Sequence, residues 1–171
     1  MNKKSVVGLL TAAMFVPAVS VASDLYGALG YGYLDSEDST MGNIGLSVGI
    51  QVDKNLSIEG VYTFTINKDD LGGGDSLSAN SIGMFAVFQT RGNTYFKARA
   101  GYSNVDFDLE VSNITVTDNA NGFAFGIGFG MKAGKDALEF EYTKLPDLDT
   151  FIGIPANASN SYFGISYKLG L

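Results

Sequence analysis

The most constraining feature of this chain is a period of two whose faces have the wrong sizes for a soluble core. In "NIGLSVGIQV" the residues Ile44, Leu46, Val48, Ile50 and Val52 fall on one face, and Asn43, Gly45, Ser47, Gly49 and Gln51 on the other. Successive side chains of a strand point to opposite faces, so each such stretch makes a strand with one greasy side and one small or polar side. The pattern returns in "NGFAFGIGFGMK", with Phe123, Phe125, Ile127, Phe129 and Met131 alternating with Gly122, Ala124, Gly126, Gly128, Gly130 and Lys132. A soluble sandwich or lipocalin-like barrel also alternates. Here, however, large apolar and aromatic side chains would face water around an interior of glycine and small polar groups. The arrangement makes sense with lipid outside, and so with a barrel that crosses a membrane.

Extended along the chain, this period predicts eight strands, near 24–35, 43–52, 56–66, 78–90, 94–111, 114–132, 137–145 and 161–171. Each approaches or exceeds the ~9–11 residues of a tilted bilayer-crossing strand. The connections 53–55, 91–93 and 133–136 read as tight polar turns, while 36–42, 67–77 and 146–160 read as longer loops. Short turns at one end and long loops at the other define an all-β, eight-stranded, antiparallel, up-and-down transmembrane β-barrel. In the fifth strand the face polarity inverts near Ser103 to Val105, which marks the outer membrane surface. Beyond it the hairpin is expected to continue into water, with Phe107, Leu109, Val111, Ile114 and Val116 over the barrel mouth.

The chain has 171 residues and neither cysteine nor histidine, which excludes disulfides and thiolate metal sites. It opens "MNKKSVVGLLTAAMFVPAVSVAS": two lysines, an uncharged apolar run and a small-residue end, the layout of an export signal cleaved after Ala22 or Ser23. Pro17 interrupts the run, which is also shorter than the ~20 residues of a spanning helix. The expected domains are therefore a signal over 1–23 and a barrel over 24–171. Without Lys3 and Lys4, 18 acidic residues face nine basic ones, a balance that repels nucleic acid.

The paired glutamates of "ALEFEYTK" take their meaning from the same period. With Leu138, Phe140 and Tyr142 toward lipid, Glu139 and Glu141 enter the lumen, as does Glu59; Lys97, Arg99 and Lys168 supply three opposing cations. An unpaired charge in a narrow, poorly hydrated lumen is costly, so a balanced ion-pair layer is expected. A glycosidase-like carboxylate pair would need an open cleft, which an eight-stranded barrel does not offer. No catalytic residue, metal ligand set or cofactor is assigned. The acidic loops, including "NKDDLGGGDS", lack calcium-loop spacing and read as solvated surface, with divalent cations bridging to lipid phosphates as the alternative. In "DTFIGIP", Phe151, Ile152 and Ile154 are candidate contacts for a host or cell-surface protein, or residues folded against other loops.

The last strand, "YFGISYKLGL", places Gly164, Tyr167 and Leu169 in a Gly-x-x-aromatic-x-apolar order that resembles the signal read by the barrel-assembly machinery. Together with "DLYGALGYGYLD" in the first strand, the chain resembles the small OmpA/OmpX-like family of outer-membrane barrels over nearly all of the expected mature part. The terminal Leu171 departs from the usual Phe. The enzymatic small barrels of that membrane lean on an active-site histidine, which this chain lacks. The resemblance implies a monomer in the cell outer membrane, reached after export, amid lipid and lipopolysaccharide. Its expected role is structural or adhesive, with a narrow porin-like channel as the alternative.

Overall fold

The computed structural model describes residues 25–36, 39–111, 114–151 and 154–170; the expected export signal and Leu171 lie outside them. Eleven strands are described: β1 (Leu25–Ser36), β2 (Ser39–Asp53), β3 (Leu56–Asn67), β4 (Asp69–Gly72), β5 (Asp75–Gln89), β6 (Thr94–Val111), β7 (Ile114–Ala133), β8 (Asp136–Lys144), β9 (Leu148–Phe151), β10 (Ile154–Ala158) and β11 (Asn160–Gly170). Eight of them, β1, β2, β3, β5, β6, β7, β8 and β11, pair antiparallel with their neighbours, and β1–β11 and β3–β5 pairing closes the ring. Closure removes the unpaired edges that water cannot satisfy inside a bilayer.

The alternation sets which side chains face out. Leu46 and Val48 of β2, Phe123, Phe125 and Ile127 of β7, and Phe163 and Tyr167 of β11 are all exposed on the outer wall. Phe129 and Phe140 stack across β7 and β8 with ring centroids 4.9 Å apart. Tyr102 and Phe123 meet edge to face at 6.0 Å near the loop end. Soluble monomers rarely expose an apolar wall of this extent.

Three tight turns and both described chain ends share one end of the barrel. Gly92 and Gly134 take φ of 126° and 69° there, values that a side chain disfavours. At the other end the described residues of the three expected loops hold further strand pairing. The segment 36–42, expected as a long loop, is strand up to Ser36 and again from Ser39, with the two residues paired. The segment 67–77 forms the short β4, folded back on Asp75–Leu77 through Gly73 and Gly74, so β5 starts three residues before the expected position. Within 146–160, β9 and β10 make a separate two-stranded hairpin. Strand pairing satisfies the backbone groups that an open loop would leave to water, which is why the segments continue as hairpins.

The β6–β7 hairpin continues in register as far as Val111 and Ile114. Of the five apolar residues expected over the mouth, Phe107 is fully buried, and Leu109 and Val116 are partly buried. Val111 and Ile114, by contrast, stand exposed at 37% and 66%. They lie at the tip, beyond the reach of the other strands. Below them Val105 and Phe107 pack with Leu34, Met41, Leu145 and Leu148 in a buried apolar cluster at the loop end of the barrel.

Candidate functional site

Between that apolar cluster and the turn end lies a layer of charge. Lys97 Nζ stands 3.1 Å from Glu59 Oε1, 3.0 Å from Glu139 Oε2 and 3.1 Å from Glu141 Oε2. Arg99 pairs with Glu141 at 2.5 Å and approaches Glu59 at 4.0 Å. Lys168 reaches Glu139 at 3.7 Å. The side chains of Lys97, Glu59 and Glu139 are 6%, 2% and 3% exposed, so this is a buried network and not a surface pair. The six charged residues singled out from the sequence all meet in this one layer.

The strand register explains why they can meet. Tyr95, Lys97 and Arg99 of β6 pair with Gly130, Gly128 and Gly126 of β7, and these glycines pair with Glu139, Glu141 and Thr143 of β8. Each β7 glycine leaves the inner wall bare, so the side chains on either side reach across it. Tyr95 hydrogen-bonds Glu139, Lys97 pairs with Glu141, and Arg99 donates to Thr143 Oγ1 at 2.7 Å. The same device recurs on the opposite wall. Gly49 lies between Tyr26 and Glu59, and the Tyr26 hydroxyl donates to Glu59 at 2.8 Å. A Cβ at Gly49 or Gly130 would enter the Tyr26 or Tyr95 ring. The glycine face seen in the sequence is thus space reserved for side chains of adjacent strands.

Sequence reading missed Tyr26, Tyr95 and Thr143. Their signal, an inward-phase hydroxyl opposite an inward glycine, needs the register before it can be read. Aromatic faces also hold the cations: Arg99 lies 4.4 Å from the Phe85 ring centroid and Lys168 Nζ 3.5 Å from that of Tyr26. A cavity of about 50 Å³ lies within the layer, lined by Glu59, Lys97, Arg99, Glu139, Glu141 and Thr63. That is room for about three waters. Among the described residues no group of three or more acidic side chains is arranged to hold a metal ion.

The remaining expected sites lie elsewhere. Gly164 faces inward under the Tyr162 ring, whereas Tyr167 and Leu169 face out, and the Tyr167 hydroxyl donates to Asp136 at 2.8 Å. Phe151 pairs with Ile154 in the β9–β10 hairpin, and Ile152 lies outside the described residues.

A closed eight-stranded wall, apolar outside and charged within, is the arrangement of a small outer-membrane barrel, and the family profile "Outer membrane protein beta-barrel domain" matches residues 6–169. The chain belongs to this family. Its location is accordingly the outer membrane; barrels of this kind carry short turns on the periplasmic side and longer loops outside. Solved outer-membrane proteins share this barrel architecture at low identity. Neisserial surface protein A is similar with a TM-score of 0.69 and 12% identity, over 88% of this chain and 98% of that one. Ail of Yersinia pestis, the attachment invasion locus protein, solved with the heparin analogue sucrose octasulfate, gives 0.57 and 9%, over 86% and 97%. The outer membrane enzyme PagL gives 0.51 and 18%, over 84% and 99%. No curated protein matches the sequence. One barrel architecture therefore carries surface proteins and an enzyme, and the fold alone assigns no activity.

Proposed function

We propose that this barrel is shut and acts through its external surface, as a structural or surface-interaction protein of the outer membrane and not as a conduit or an enzyme. The carrying observation is the lumen. A neutral set of three carboxylates and three cations is interlocked at mid-barrel around a cavity of about 50 Å³, with a buried apolar cluster above it. A permeating ion would have to displace paired charges at close range, at a cost of several kcal/mol. The absence of histidine weighs against the general-base chemistry of an enzyme. The likeness to an attachment protein supports a contact role for the β6–β7 and β9–β10 hairpins. Export by the leader, delivery by the assembly machinery through Gly164, Tyr167 and Leu169, a monomeric state, and contact with lipopolysaccharide complete the reading.

Planar-bilayer recording tests it. A shut barrel gives no steady conductance, and Arg99→Gln or Glu139→Gln opens one by unbalancing the layer. Steady wild-type conductance that these substitutions modulate would replace this reading with a narrow porin-like channel. A contact role predicts that replacing 105–117 or 146–160 abolishes binding to cells or matrix while heat-modifiable gel migration persists.

A further inference from the structure

Charge is sorted between the two ends of the barrel. At the external end Asp35, Asp69, Asp70, Asp75, Asp106, Asp108, Glu110, Asp118 and Asp147 outnumber Lys68 and Lys144. The turn end reverses the sign: among the described residues Lys54, Arg91, Lys132 and Lys135 face only Asp53 and Asp136. All four cations are exposed, and none makes an ion pair among the described residues. The two carboxylates are engaged by neutral donors. Asp53 accepts from the Lys54 backbone N–H at 2.6 Å, and Asp136 accepts from the Tyr167 hydroxyl at 2.8 Å.

These turns are also laced together. The Asn55 side-chain amide donates to the Gln89 carbonyl at 2.6 Å, the Gln89 N–H donates to the Asn55 carbonyl at 2.9 Å, and Arg91 Nε donates to Asn55 Oδ1 at 3.2 Å. The Lys132 N–H donates to the Asn93 carbonyl at 2.6 Å, which ties the second turn to the third. The cations therefore sit on a braced rim and not on three independent loops. Directly beside that rim the lipid-facing wall begins, with Leu56, Phe88, Phe96 and Met131 exposed. Lys132, with its ammonium 5.2 Å from the Tyr95 ring centroid, sits at the lumen mouth; Lys54, Arg91 and Lys135 occupy the turns.

We propose that Lys54, Arg91 and Lys135 form a collar that recruits anionic phospholipid headgroups of the periplasmic leaflet. The occupant follows from two observations: among the described residues the cations lack carboxylate partners, and the rim is continuous with an exposed apolar wall. A phosphodiester there meets an ammonium or guanidinium while its acyl chains lie along Phe88 and Phe96. The acidic external end offers no comparable site, so the preference belongs to one leaflet.

The test uses the folded protein in phosphatidylcholine vesicles doped with spin-labelled phosphatidylglycerol or spin-labelled phosphatidylcholine, and compares the motionally restricted fraction of each. Wild type should prefer phosphatidylglycerol, by about fivefold for each cation that engages a headgroup, and molar salt should erase the preference. The triple variant K54Q/R91Q/K135Q should lose it while keeping heat-modifiable migration, K54R/R91K/K135R should retain it, and K68Q/K144Q should leave it unchanged. The collar is ruled out if the triple variant keeps the preference, if wild type has none, or if K68Q/K144Q abolishes it. It is equally ruled out if the basic rim binds purified peptidoglycan sacculi while showing no lipid preference.

Discussion

Lys97→Met gives the charged layer its most direct trial. Methionine keeps most of the side-chain length and removes one ammonium that now touches three carboxylates at 3.0–3.1 Å. Summing three Coulomb terms would overstate the loss, because each carboxylate keeps other partners. Glu141 retains Arg99 at 2.5 Å, Glu139 retains Lys168 at 3.7 Å and the Tyr95 hydroxyl, and Glu59 retains the Tyr26 hydroxyl at 2.8 Å with Arg99 only at 4.0 Å. What remains is one uncompensated buried negative charge, centred on Glu59, and removal of one partner from such a network costs about 3–5 kcal/mol. Urea titration in phosphatidylcholine vesicles, followed by heat-modifiable gel migration, should show that loss. The double variant Lys97→Met with Glu59→Gln should recover more than half of it, because charge balance is restored. A single variant costing under about 1 kcal/mol would mean that the layer is hydrated like a surface pair. A double variant no more stable than Lys97→Met would refute the assignment of the cost to unpaired charge.

Three further outcomes can be measured in the same system. Gly130→Val should cost about 1–3 kcal/mol, because the new side chain must expel the Tyr95 ring from its place over the glycine and take its hydroxyl from Glu139; a wild-type urea midpoint would contradict the bare-floor role of the β7 glycines. Ile127→Lys, on the lipid side near mid-wall, should cost about 2–4 kcal/mol in vesicles; an unchanged midpoint would place that face in water. In the external hairpin, burial first and the Asp108 carboxylate second raise the Asp106 pKa above its usual value. The folded hairpin then holds that proton more tightly than the unfolded chain, so the contribution is present at acid pH and is lost as pH rises through the folded-state value. Asp106→Asn should therefore slow amide exchange across 105–117 at neutral pH relative to wild type, and equal exchange in the two proteins would contradict the strain assigned to Asp106.

Much of this architecture is legible along the chain because a period of two is a local property. Ile44 to Val52 and Phe123 to Met131 declare their faces without reference to any partner, and once lipid is placed outside, Glu59, Lys97, Arg99, Glu139, Glu141 and Lys168 must enter the lumen together. The same logic marks the inversion at Val105, since a face that changes sign must change solvent. Loop structure is less legible. The Ser36–Ser39 pairing and β4 form because segments held at the barrel rim can pair with strands already fixed beside them, and β9 and β10 pair with each other, an advantage that composition does not display. Register lies further still from the sequence. Whether Gly130 falls between Tyr95 and Glu139, or Gly49 between Tyr26 and Glu59, depends on a register that brings together side chains 33 and 44 positions apart. A one-residue slip would turn each of those side chains to the opposite face. The chain thus carries in its own alternation the strand number, the lipid face and the charges of the lumen. Which tyrosine serves which glutamate, and how little space remains between them, follows only when eight strands close and each shear choice binds all the others.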